Sequence, residues 1–279
     1  MTSVGRKRFG TLRGSGIGAM QNACFPTGLS DAQWRTILPH LPKPAKRGRP
    51  RTGLRRILDA VLYLVKSGVQ WRLPPRSFPP WQTVYHVFRR WRGEGLWREL
   101  DDRLRAMVRT AAGRDCRPSA GILDSQSVKS DPHGGDVGYD AGKKTRGRKR
   151  HLLVDTPGLV LAVKATPAST PEREGGLAVL GPVLAWLRWF RKPWVGGGYT
   201  GEDFAREARS HRPKLVVEAV KRSDTARGFH VLPKRWIVER TFGWLMRHRR
   251  LVRDYETSES SAESMLHLAM IRIMLNRLA

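Results

Sequence analysis

The stretch Gly121-Ile122-Leu123-Asp124-Ser125-Gln126-Ser127-Val128 decides how the fold is read. Its apolar residues have strand rhythm rather than helical spacing, so it predicts a β-strand. Asp124 has no propensity reason to sit among Ile122, Leu123 and Val128, since Asp is depleted from strands. It is either a strand-edge residue capping a turn or a carboxylate presented for chemistry. Downstream, Lys143-Lys144-Thr145-Arg146-Gly147-Arg148-Lys149-Arg150-His151 runs straight into Leu152-Leu153-Val154. This predicts a dense cationic loop at the mouth of a second strand. Cations beside a sheet-edge acid suit an enzyme that acts on a polyanion: the charge grips phosphates, and the acid holds a metal over the bond to be cut. Lys143, Lys144, Arg146, Arg148, Lys149 and Arg150 are therefore expected on a DNA backbone, with a solvated loop as the alternative.

The composition points the same way. The 279 residues hold 52 Lys and Arg against 24 Asp and Glu, a formal net charge of +28. That imbalance argues against an ordinary metabolic enzyme and for a nucleic-acid partner. A hydrophobic content of 40% and ten tryptophans indicate a packed core rather than a basic tail. Cys24 and Cys116 lie far apart and match no metal-ligand spacing, which favours a reducing interior compartment, the cytoplasm. No apolar run approaches the ~20 residues that cross a bilayer, and the first nineteen residues lack a secretory apolar segment. Residues 1–28 form a basic extension with little to pack, expected to be poorly ordered, with Met20 as an alternative start.

From residue 29 to 112 the rhythm is helical. Ser30-Asp31-Ala32-Gln33 has capping-box form, and Trp34, Ile37, Leu38 and Leu41 follow at helical spacing. Beyond a Pro- and cation-rich linker over residues 42–51, Ile57, Val61, Leu64 and Val65 mark a second helix. A third, from Trp81, turns Val84, Val87, Phe88 and Trp91 inward and projects His86, Arg89 and Arg90 elsewhere. Three short helices with a basic last member have the form of a helix-turn-helix DNA reader, and a solvated basic face would look the same. A fourth helix covers Trp97 to Thr110. Residues 119–279 read as strand 121–128, a charged loop over 131–149, and strands 151–155 and 159–166 around Thr156-Pro157-Gly158. Helix 172–190, strand 193–195, helix 204–210 and strand 215–220 follow. A long helix runs from Pro233 to Arg250, and the last begins at a Ser260 cap. The order fits a mixed sheet flanked by helices.

A second acid stands out in Arg235-Trp236-Ile237-Val238-Glu239-Arg240-Thr241-Phe242. Glu239 borders a buried stripe of Val238, Phe242 and Leu245, with Arg235 one turn earlier. The pair could be a plain i,i+4 ion pair, or Arg235 could hold a phosphate beside a metal-binding carboxylate.

These segments, together with Gly138-Tyr139-Asp140-Ala141-Gly142-Lys143-Lys144, Thr166-Pro167-Ala168-Ser169 and Gly198-Tyr199-Thr200-Gly201, closely resemble bacterial insertion-sequence transposases of the Asp-Asp-Glu type. The branch is the insertion sequence five family, and the resemblance runs from about Leu29 to Ala279. It implies a helical DNA-binding domain over 29–112 and an α/β, ribonuclease H-like catalytic domain over 119–279. In that domain three acids bind a pair of Mg²⁺ ions. Asp124 matches the first acid and Glu239 the last, and both would ligate metal. The second acid normally precedes the Gly-Gly-Tyr segment, where this chain has Gly196. Glu202 and Asp203 lie nearby but in the next helix, and Asp155 sits in the hairpin turn, at the wrong strand. The resemblance implies double-stranded DNA partners (element ends and target), a homodimer or larger assembly, and a place on the bacterial nucleoid. Gly196 implies impaired cleavage, with a catalytically dead DNA binder or inhibitor of an active partner as the alternative. An RNA-associated basic protein without a metal site is a distant third reading.

Overall fold

The computed structural model of the chain describes residues 25–43, 52–131, 134–220 and 234–279. The extension up to residue 24, most of the 42–51 linker and the helix start at Pro233 lie outside them.

Four helices open the described chain: α1 (Asp31–Ile37), α2 (Leu54–Ser67), α3 (Trp81–Gly93) and α4 (Leu96–Ala111). The Ser30 hydroxyl accepts from the Gln33 amide and the Gln33 side chain from the Ser30 amide, so the capping box forms. The apolar stripes predicted on α2 and α3 are buried. Leu38 is not: α1 gives way there to a 3-10 turn containing Pro39, and the changed rotation leaves Leu38 45% exposed. The stripes pack on the carboxy-terminal helix α9 (Glu259–Leu278), and one continuous core joins α1–α4, α9 and one face of the sheet.

The sheet has six strands: β1 (Ala120–Lys129), β2 (Gly138–Asp140), β3 (Thr145–Asp155), β4 (Val160–Pro167), β5 (Lys192–Val195) and β6 (Glu218–Ala219). β3 runs antiparallel between β1 and the pair β2 and β4, and β1 runs parallel to β5, which continues to β6. Helix α5 (Glu172–Trp186) and α6 (Glu202–His211) cover the second face, with a separate core around Leu123, Leu153, Leu180 and Phe190. α7 (Arg235–Met246) lies against β1 and β3, followed by the short α8 (Arg249–Val252). This is the mixed, helix-flanked sheet that the strand and helix order predicted.

Several local expectations need correction. The helix predicted through Arg250 breaks between α7 and α8, and α9 is capped by Ser258, whose hydroxyl accepts from the Ser261 amide, rather than by Ser260. The largest difference concerns the cationic run. It is not a loop: residues 145–150 lie in β3, a strand with neighbours on both sides. Arg148, Lys149 and Arg150 are therefore buried, not displayed to DNA. Arg148 meets Asp254 at 3.2 Å and the Glu256 carbonyl at 2.7 Å, and Lys149 donates to the Thr170 carbonyl at 2.9 Å. Arg150 donates to the Leu251 carbonyl at 2.7 Å, and burial lowers its pKa to about 10 despite the attraction of Asp254. Arg148 and Arg150 tie β3 to the segment before α9, and Lys149 ties it to the segment before α5.

His151 continues the same strand with no exposed surface, and its ring nitrogens lie 3.2 Å from the Tyr199 hydroxyl and from the Thr166 hydroxyl. Burial, and then repulsion from Lys149 and Lys143, lowers its pKa to about 3. The unfolded chain takes up a proton near pH 6.5 while the native chain does not, so stability falls as pH drops below that value. We expect urea denaturation between pH 6.5 and 5 to show a slope steeper by up to ~1.4 kcal/mol per pH unit in the wild type than in His151→Gln. Equal slopes would contradict a neutral native His151.

Candidate active site

β5 stops at Val195 opposite Leu123, so β1 carries Asp124 one residue past the end of its neighbour. The chain then turns through Gly196, Gly197 and Gly198, with the Gly196 amide on the Leu123 carbonyl at 3.4 Å. α7 approaches from one face. It is fixed by buried Val238 and Phe242, and by Thr241, whose hydroxyl donates to the Gly158 carbonyl at 2.8 Å across the β3–β4 hairpin. Glu239 projects from this helix beside the anchored stripe. Asp124 and Glu239, 115 positions apart in sequence, line one cavity of about 520 Å³.

Arg235 occupies the space between these acids. Its Nη2 lies 3.0 Å from Asp124 Oδ2 and 3.7 Å from Glu239 Oε1. Its Nε is buried and has no hydrogen-bond acceptor. A side chain at Gly196 would enter the same space: a Cβ there would stand 3.3 Å from Asp124 Oδ1 and 3.7 Å from Arg235 Nε. The residue that the family resemblance marked as lacking its acid thus directs its missing side chain at Asp124 and at an unsatisfied guanidinium N–H.

The opposite wall of the cavity holds residues that sequence reasoning missed. Glu172, in the first turn of α5, accepts from the Ser125 hydroxyl at 3.2 Å and from Lys143 Nζ at 3.4 Å. Tyr199 closes the back of the cavity, its hydroxyl held well above its usual pKa by burial and then, more weakly, by Asp124 and Glu172. In sequence, Glu172 looks like an ordinary helix N-terminal acid complementing the dipole. Only its place just after β4, the strand paired with β3 next to the acid-bearing β1, could have raised it.

The remaining expected site residues are spread out. Lys143 lines the cavity, and Lys144 and Arg146, which follow it in the chain, are exposed. Arg148, Lys149 and Arg150 are interior, as described above. On α3, His86 and Arg89 are exposed and Arg90 is partly covered, 3.8 Å from Glu94. They do not join the Asp124 cavity. Glu202 lines a different cavity with Arg206 and Arg209, Asp203 pairs with Arg206, and Asp155 is buried on Arg109 at 2.7 Å.

A family model described as the transposase DDE domain matches residues 115–274. The chain belongs to the DDE transposases. A second model, described as a transposase of the IS4/5 family, matches residues 29–100. A Burkholderia cepacia protein named as a transposase for insertion sequence element IS402 is 29% identical over 136 residues, 47% of this transposase and 64% of that protein. An uncharacterized 16.2 kDa protein of the same element is 30% identical over 109 residues, 37% and 73% of the two chains. The uncharacterized protein y4sN of Sinorhizobium fredii is 36% identical over 85 residues, 30% and 66% of the two. Against y4sN and the IS402 transposase, the match spans slightly under two thirds of the relative. No solved structure matches the transposase. Among its described residues no helix is long and apolar enough to cross a membrane.

Proposed function

We propose that this transposase binds the terminal inverted repeats of an insertion sequence and carries out metal-dependent strand cleavage and transfer, at a rate held down by Gly196. The observation that carries the reading is the cavity in which Asp124 and Glu239 face each other across Arg235, with Gly196 beside Asp124.

Members of the family use divalent cations, Mg²⁺ being the expected one. The donor set agrees in kind: two carboxylates already hold a cationic group, the Arg235 guanidinium, between them. It is short in number, because among the described residues no three His, Cys, Asp or Glu side chains are grouped closely enough to hold an ion. Asp124 and Glu239 would hold the metal, which when bound supplies an activated water and neutralises charge at the cleaved phosphate. Arg235, released from the carboxylates, is placed to pair with a phosphate of the bound strand. Lys143, Lys144 and Arg146 hold the DNA backbone beside the cut, and His86, Arg89 and Arg90 on α3 hold DNA at the helical end of the molecule, residues 29–112. Two ends must be held together, so a homodimer or larger assembly acts on the nucleoid, in the cytoplasm. A second reading, a non-catalytic DNA binder that inhibits an active partner by mixed assembly, is favoured by Gly196 alone.

The test uses a duplex carrying the element's inverted repeat. Asp124→Asn should remove strand cleavage while leaving end binding intact, and Lys144→Ala or Arg146→Ala should each lower the salt slope of binding by about 0.9. Cleavage that survives Asp124→Asn would sink the catalytic reading, and no cleavage by the wild type at all would leave the DNA-binder reading in possession.

A further inference from the structure

We propose that Glu172 acts as the third carboxylate of this site, supplying from helix α5 the acid that position 196 lacks. The inference rests on the transposase reading above and extends it to a residue outside the family's triad.

Strand geometry explains how an acid on the far face of the sheet can serve a site on the near face. Consecutive residues of β1 point to opposite faces, so Asp124 looks toward α7 and Ser125 toward α5. In the body of a sheet these two spaces are sealed from each other. Here they are not, because β5 ends opposite Leu123 and the three residues that follow it, Gly196 to Gly198, have no side chains. One cavity therefore wraps the open edge of β1, lined by Asp124, Arg235 and Glu239 on one side and by Ser125, Lys143 and Glu172 on the other. Gly198 is part of this arrangement: a Cβ there would overlap the Glu172 carboxylate outright. The carboxylate thus lies directly over the loop whose first residue, Gly196, is turned toward Asp124.

The present partners of Glu172 are those of an acid that can be recruited. Among the described residues it has no buried bidentate pair, and it meets the Ser125 hydroxyl at 3.2 Å and a half-exposed Lys143 at 3.4 Å. Lys143 also leans on the Ser125 carbonyl and hydroxyl, at 3.3 and 3.2 Å, so it has other acceptors if Glu172 moves. The cavity then presents three carboxylates, Asp124, Glu172 and Glu239, against two protein cations, Arg235 and Lys143. Among the described residues these three acids do not yet stand close enough together to hold an ion; Glu172, on a long and flexible side chain, would swing over the glycine loop to hold a divalent cation with Asp124 and Glu239, with Arg235 and Lys143 giving way.

The test is Mn²⁺ binding to the full chain, read from loss of the free-ion electron paramagnetic resonance signal, with circular dichroism confirming the fold of each variant. Glu172→Gln should weaken Mn²⁺ binding about tenfold or more, as should Asp124→Asn. Gly198→Ala, which evicts the carboxylate without changing its charge, should weaken it too and serves if Glu172→Gln fails to fold. Adding Gly196→Asp to Glu172→Gln should restore the affinity, which a merely structural role for Glu172 would not allow. Wild-type affinity in Glu172→Gln alongside loss in Asp124→Asn would overturn the role of Glu172 and leave the transposase site standing. Absence of Mn²⁺ binding by both the wild type and Gly196→Asp would overturn the metal site itself.

Discussion

Gly196→Asp is expected to raise the rate of strand cleavage at the element's ends by about two orders of magnitude, since a carboxylate that helps neutralise charge at the cut contributes roughly 3 kcal/mol to the transition state. The backbone accepts the change without strain, because Gly196 has φ −69° and ψ 169°, an extended conformation open to any residue. The space is tight but workable: the new Cβ meets Asp124 Oδ1 at 3.3 Å, so that carboxylate, which accepts from the Ser125 amide at 2.8 Å, gives by a few tenths of an ångström, and Arg235 stands clear at 3.7 Å. In the metal-free protein a second carboxylate beside Asp124 would be repelled, but the unsatisfied Arg235 Nε–H lies next to it and offers a charged donor. The substitution also removes glycine's excess freedom from the unfolded chain, so stability should hold or rise slightly. Single-turnover cleavage of an inverted-repeat duplex with Mg²⁺ measures the effect, with end binding as the control. Equal rates for the two proteins would mean that position 196 has no part in the chemistry.

The mixed, helix-flanked sheet, the helical stripes and the juxtaposition of Asp124, Gly196 and Glu239 were legible because each depends on local pattern or on motif order. Asp124 stands out in an apolar strand, and Glu239 borders a stripe whose period fixes the helix face it leaves exposed. Gly196 is conspicuous only against the family's motif. What the chain did not disclose was which side of a strand its charges would meet. Residues 145–150 carry four cations and no acid, a pattern that reads as surface. Lys149 is compensated by Asp140 at 3.5 Å, but Arg148 and Arg150 depend on Asp254 and Glu256, about a hundred positions away, and β3 acquires covered faces only once β1, β4 and the segment before α9 have packed on it. Glu172 escaped notice for the related reason that its nearest site partners, Ser125 and Lys143, are 47 and 29 positions distant. The cluster Arg247, Arg249 and Arg250 divides in the same way: Arg247 and Arg249 are exposed, whereas Arg250 is buried on Glu256 at 2.8 Å.

The burial of that cationic strand makes Asp254 the residue whose loss should damage the fold most. Its main chain extends the end of β1, with the Asp254 amide on the Lys129 carbonyl at 2.9 Å and the Asp131 amide on the Asp254 carbonyl at 2.8 Å. Its carboxylate accepts from Arg148 at 3.2 Å and from the Glu256 amide at 2.9 Å, and its charge attracts the buried Arg150. Glu256 cannot take over, because it is already paired with Arg250. Asp254→Ala therefore leaves Arg148 with carbonyls alone and Arg150 with one carbonyl and an unsatisfied Nε. Breaking a buried ion pair from one side costs about 3–5 kcal/mol, which for a chain of this size lowers the melting temperature by roughly 10 °C. Urea and thermal denaturation followed by circular dichroism measure it, with Lys144→Ala, on the exposed part of the same run, expected within about 0.5 kcal/mol of the wild type. A loss below about 1 kcal/mol in Asp254→Ala would show the network to be dispensable. The same comparison separates the two roles of the cationic run. Lys144→Ala should alter the salt dependence of DNA binding and not the fold, whereas Arg148→Ala should alter the fold and, in whatever protein remains native, leave the salt slope unchanged.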